Sequence, residues 1–216
     1  MCMTLNRALS PFVAGLVGFS LLIFSASSAF ALTDAKPPAD LPALKPLGPK
    51  SSLKKAREEL LSFLYNQLQH ADSEETADRI VTAIEKIWGQ SGSDTVNILM
   101  QRAGIAMKAR NYPLATEVLT ALTEIEPRYV EGWNQLATIY FLQENYAESM
   151  RQLRHVLALD PRHFKAIEGL GIILRETGNK KAALKATRKA LEIQPFLKSA
   201  KQAETELRRE VEGQEL

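Results

Sequence analysis

The 216-residue chain carries 27 Lys and Arg against 25 Asp and Glu, and 45% of its residues are hydrophobic. That balance supports a buried core and excludes a wholly disordered chain. A formal charge of +2 gives no global pull toward nucleic acid or an anionic membrane surface, and a single cysteine, Cys2, excludes an intramolecular disulfide or a cysteine metal cluster.

The first segment reads as an address. Phe12 to Phe24 is an uncharged apolar run interrupted by Ser20, preceded by Arg7 and followed by Ser25, Ala26, Ser27, Ser28 and Ala29. A basic start, an apolar middle and a small-residue end describe a secretory signal peptide over 1–31, cut after Ala31 at Ala29-Phe30-Ala31. The charge-free stretch from Ala8 to Thr33 also reaches the roughly 20 residues that span a bilayer, so an uncleaved anchor in the inner membrane is the alternative. Its Ser- and Ala-rich second half is a poor hydrocarbon segment, which favours cleavage and a periplasmic protein. Cys2 precedes the apolar run and so cannot be a lipoprotein cysteine, which would follow it.

Residues 32–50 form a linker: Pro37, Pro38, Pro42, Pro46 and Pro49 are half of the ten prolines and have no apolar periodicity between them. A helical hairpin is predicted over 51–90. Ser51 or Ser52 opens a helix with Leu53, Leu60, Leu61, Leu64 and Leu68 at helical spacing. Asp72 with Glu75 reads as a capping box for a second helix carrying Ile80, Val81, Ile84, Ile87 and Trp88; the spacing of Trp88 with Ile80, Ile84 and Ile87 favours the core, with an exposed anchor as the alternative. Gly89 to Ser93 breaks the pattern, and Ser93 or Asp94 opens the next helix.

From there a fixed period governs. Pro127, Pro161 and Pro195 are 34 residues apart, as are Asn111, Asn145 and Asn179, and Ala103, Ala137 and Gly171. Each Pro stops a helix, because it lacks an N–H and clashes with the preceding turn. Each Asn caps the second helix of a pair. The small residues let two helices approach closely. Units of this kind over 95–128, 129–162 and 163–196 describe a solenoid.

Trp133-x-x-Leu136-Ala137-x-x-Tyr140 and Leu170-Gly171-x-x-Leu174, followed by Ala115-x-x-x-Leu119, Ser149-x-x-x-Leu153 and Ala183-x-x-x-Thr187, resemble the tetratricopeptide-repeat (TPR) family. The resemblance implies an all-α, right-handed superhelical solenoid of antiparallel helix pairs. It makes the 51–90 hairpin a degenerate, out-of-phase unit. The thin stripe of Leu197, Ala200, Leu207 and Val211 becomes a solvating cap helix over 197–216.

Chemistry has no obvious seat. His70, His155 and His163 read as surface or helix-end residues, since no two stand four apart beside a carboxylate, and no metal or cofactor is expected. There is no nucleophile elbow, phosphate loop or dinucleotide fingerprint. Trp133 takes the family's aromatic packing place.

The resemblance places ligand binding on the first helices of successive units. At about 100° per residue, Trp133, Leu136, Ala137 and Tyr140 share a packing sector, while Glu131, Asn134, Thr138 and Phe141 cluster roughly 130° away. Carried by the period, the groove set adds Asn97, Met100, Gly104 and Met107 before, and Lys165, Glu168, Ile172 and Arg175 after. Met100, Gly104 and Thr138 stand where family members that clamp a terminal carboxylate use Lys and Asn, which argues against such a clamp. A covering of Met100 and Met107 by the N-terminal hairpin is the competing expectation.

The expected function is therefore a non-catalytic scaffold or adaptor of the cell envelope, whose partner is another protein or a peptide segment and not nucleic acid or metal. An enzyme, or enzyme subunit, acting on an envelope substrate is the alternative, and self-association is a third reading.

Overall fold

The computed structural model describes residues 50–213, so the signal peptide, its cleavage site and the linker up to residue 49 lie outside the described residues. The described residues form helices and no strand: α1 (Lys50–Gln69), α2 (Glu74–Gly89), α3 (Asp94–Lys108), α4 (Tyr112–Ile125), α5 (Val130–Leu142), α6 (Tyr146–Leu159), α7 (Phe164–Glu176), α8 (Lys180–Ile193) and α9 (Lys198–Glu212).

The pairs α3/α4, α5/α6 and α7/α8 keep the 34-residue period to the residue at the ends of α4, α6 and α8. Asn111, Asn145 and Asn179 cap these helices, each side-chain oxygen accepting the N–H of Leu114, Glu148 or Ala182 at 3.3 Å. Such a cap contributes about 1 kcal/mol. Each helix stops two residues before Pro127, Pro161 or Pro195, because the residue preceding a proline is pushed out of helical backbone. Between the two helices of each unit, Arg110, Glu144 and Gly178 take left-handed backbone with φ of 55°, 58° and 82°. Only the third unit uses glycine there; the other two bear a cost of about 1 kcal/mol to make the same turn.

Within a unit the helices cross at small residues. Ala103, Ala137 and Gly171 are buried, as are Ala115, Ser149 and Ala183 on the second helices. The Ser149 hydroxyl donates to the Ala137 carbonyl at 2.7 Å, so its polarity is satisfied inside the crossing.

Helix α9 starts 34 residues after α7, and its buried Ala200 and Leu207 repeat Ala166 and Ile173. It holds the first-helix position of a further unit. Arg175 pairs with Glu206 at 2.8 Å and Glu210 at 3.0 Å, and Arg188 with Glu204 at 3.0 Å, so α9 is tied to α7 and α8 by charge as well as by its apolar stripe. Its remaining surface is polar.

The N-terminal hairpin departs from expectation in two ways. Its helices begin elsewhere: α1 starts at Lys50, with Ser51 and Ser52 inside its first turn, and Ser73 rather than Asp72 caps α2 by accepting the Thr76 N–H. More importantly, it does not continue the stack as a degenerate unit ahead of α3. Tyr65, Leu68, Ala77, Ile84 and Trp88 share a core with Phe164, Ile167, Ala190 and Ile193, all from α7 and α8. Salt bridges follow the same placement, Glu85 to Lys165 at 2.5 Å and Glu74 to Lys198. The reason lies in the aromatic groups of the hairpin, whose polar ends need buried partners. Asp160 supplies them, accepting from the Tyr65 hydroxyl at 2.5 Å and the Trp88 indole N–H at 3.3 Å.

Candidate functional site

A groove runs between α5 and α7, the first helices of the second and third units. Ala137, Leu153 and Ile173 form its apolar floor, Phe141 and Ile172 its walls, and Asn134, Thr138 and Lys165 its polar rim, around a volume of about 180 Å³. Gly169 widens it, since the nearest atoms to a Cβ placed there belong to Leu153 at 3.8 Å and 4.0 Å. A cleft with an apolar floor and few polar groups fits an apolar side chain together with backbone or charged groups of the same ligand.

Five of the predicted groove residues converge on this volume: Asn134, Thr138, Phe141, Lys165 and Ile172. Phe141 also packs on Tyr146, with ring centroids 5.8 Å apart, so it serves the core and the groove together. The other seven, Gly104 among them, do not line it. Met100 and Met107 fold back onto the core of the first unit, their unbranched chains filling space beside it. The hairpin is not what covers them. Asn97 is held at the connector, where Ser91 donates to its side-chain oxygen at 2.7 Å. Glu168 accepts from Ser199, and Arg175 is engaged by Glu206 and Glu210, so α9 occupies the groove edge that those two were expected to offer.

Glu131 is turned toward a buried polar cluster. Its carboxylate accepts from Gln135 at 2.6 Å and from Asn134 at 3.3 Å, and His163 Nε2 stands 3.8 Å away, beyond hydrogen-bond reach. Burial alone would raise the Glu131 carboxyl. The neighbouring His163 and the two amides outweigh it and hold the group below the usual carboxylate range. Glu131 is therefore a fixed negative charge at neutral pH.

His163 is fully buried and caps α7, its Nδ1 accepting the Ala166 N–H at 3.1 Å. Trp88 stacks on it with ring centroids 3.8 Å apart. Burial, and then the adjacent Asp160, push the Tyr65 hydroxyl far up, so it remains a proton donor to that carboxylate. This junction of Tyr65, Trp88, Asp160 and His163 was invisible in the sequence, because its members lie 72 or more residues apart across the hydrogen bonds that join them. A Trp at the very end of an apolar helix was its sole signal. Of the other histidines, His155 stacks on Trp133 at 4.4 Å and His70 faces solvent. Among the described residues no cluster of His, Cys, Asp or Glu has the arrangement of a metal site.

Residues 130–163 and 165–196 each match the tetratricopeptide-repeat profile. A TPR repeat-containing protein of Rhizobium etli is 37% identical over 142 residues, which span 66% of this chain and 70% of that protein. Among solved structures, the first TPR of Spaghetti (RPAP3), bound to the HSP90 peptide SRMEEVD, aligns with a TM-score of 0.53 at 18% identity over 55% of this chain and 94% of its own. The TPR2B domain of yeast Sti1, in a pHsp70 complex, aligns with a TM-score of 0.51 at 13% identity over 55% of this chain and 99% of its own. At such identities these two structures speak for the fold alone. The 34-residue register, the capped helix pairs and the Rhizobium relative agree, and the chain belongs to the tetratricopeptide-repeat family.

Proposed function

We propose that this chain is a non-catalytic scaffold that holds a peptide segment of a partner protein in the groove between α5 and α7. The observation that carries the reading is the exposed apolar wall at Ile172 beside the Asn134 amide and the Lys165 ammonium, over a floor deep enough for a side chain. A solved structure of the same fold bound to a peptide, and another in a pHsp70 complex, support it. The rim adds polar groups rather than a free charge, because the Lys165 ammonium that lines the volume is already paired with Glu85 at 2.5 Å.

The test is a binding isotherm with a captured partner. Asn134→Ala together with Ile172→Ser is expected to lower affinity tenfold or more, since interface truncations of this kind cost over about 1 kcal/mol each. Melting should stay nearly unchanged, because Ile172 is 42% exposed and Glu131 keeps its bond from Gln135. Unchanged affinity in the folded double variant would remove the groove from the account. Phe141→Ala is a poorer probe than its sector suggested, since its loss also unpacks Tyr146.

We also propose export to the cell envelope, with the working protein beginning at Leu32. N-terminal sequencing of the native protein is expected to start at that residue. An intact Met1 in a carbonate-resistant membrane fraction would instead mean an anchor.

A further inference from the structure

Among the described residues, the two outer faces of the repeat stack differ. Ile139, Ile173 and Leu207 occupy one position of the repeat and are 0%, 1% and 1% exposed, each covered by the unit before it. Ile105 is the same position in the first unit and is 63% exposed. Ile98, in register with the buried Gly132, is 57% exposed. The hairpin that precedes α3 in sequence packs on α7 and α8, so no described residue takes the place it would have covered.

From the residues on that face we infer that α3 is a self-association surface, and that its occupant is α3 of a second copy, packed antiparallel about a two-fold axis. Asp94, Ile98, Gln101, Arg102, Ile105 and Lys108 recur at the three- and four-residue spacing of one helix stripe. Pairing the stripe with an antiparallel copy of itself sets Ile98 against Ile105 of the second copy, and Ile105 against its Ile98. At the axis Gln101 meets Arg102 of the other chain, so an amide oxygen rather than a second guanidinium faces each cation. At the two ends Asp94, in the first turn, approaches Lys108, in the last turn, and the antiparallel helix dipoles add to that attraction. The stripe is thus complementary to itself in both apolar pattern and charge, as a two-fold interface requires. The opposite end of the solenoid offers no such match, because α9 presents a polar outer surface.

Sedimentation of the full chain, as isolated from the cells that produce it, tests the assignment. A concentration-dependent dimer is expected, and Ile105→Glu should convert it to monomer with the melting curve retained, since the side chain lies mostly in solvent. The charge pair gives a second arm: Lys108→Glu should weaken the dimer at least fivefold, and Asp94→Lys in the same chain should restore it. In a Cys2→Ser background, oxidation of Gln101→Cys should link two copies through the axis, whereas Glu117→Cys, exposed on α4, should not. A chain that stays monomeric at about 100 μM overturns the proposal. So does a dimer that survives Ile105→Glu, or a face that binds only the chain's own hairpin or an unrelated protein.

Discussion

Gly171→Leu is expected to unfold the third unit, while Gly104→Leu leaves the protein at least as stable as before. A Cβ at position 171 would lie 3.2 Å from the Thr187 hydroxyl and 3.6 Å from both the Ala183 carbonyl and the Ala186 methyl. Two of these belong to a helix backbone or stub that cannot swing aside, so the added carbons of a leucine press on α8. Overpacking of this kind costs about 1 to 3 kcal/mol and more where the backbone must shift. At position 104 nothing lies within 4 Å of the added Cβ, and replacing glycine inside a helix contributes up to about 1 kcal/mol. Urea melts of the two variants, read by helical circular dichroism, give the comparison. Equal losses would mean that the small-residue crossing has been assigned to the wrong helix face.

Trp88→Ala is expected to release the hairpin from the solenoid without unfolding the repeats. The side chain is 3% exposed, stacks on His163, packs on Phe164 with centroids 5.2 Å apart and donates to Asp160. Truncating a buried tryptophan costs about 3 to 5 kcal/mol, and here the whole loss falls on one boundary. Repeat proteins are held together by neighbour contacts, so the α3 to α9 stack retains its own interfaces when that boundary opens. Hydrogen exchange should show α1 and α2 losing protection while α5 to α8 keep theirs, and Leu60→Ala, at a site 48% exposed, should change neither. Joint loss of protection in all helices would show the hairpin to be integral to the repeats.

How much could be read in advance follows from the range of each interaction. The helix ends at Asn111, Asn145 and Asn179, and at the three prolines, are set within a few residues, so the 34-residue period locates them. Close crossings at Ala137 and Gly171 were equally legible, because only small residues allow them. The docking of α1 and α2 was not. Leu61, Leu64, Tyr65 and Trp88 show an apolar face but not what it meets, and the answer turned on Asp160 and His163, two residues in an interunit turn. The groove was half legible for the same reason. Angular sectors put Asn134, Thr138 and Phe141 on one face, and all three line the α5–α7 volume, yet sectors could not foresee that α9 would engage Glu168 and Arg175 or that the methionines would turn inward.

The most direct measurement is photo-crosslinking in intact cells, with the reactive group carried at Thr138 in the groove or at Arg151 on the solvent face of α6. Specific crosslinks to a protein from position 138, abolished by Ile172→Ser, and none from position 151, are the predicted result. Crosslinks from position 151 with none from position 138 would contradict the assignment of the α5–α7 groove as the working surface.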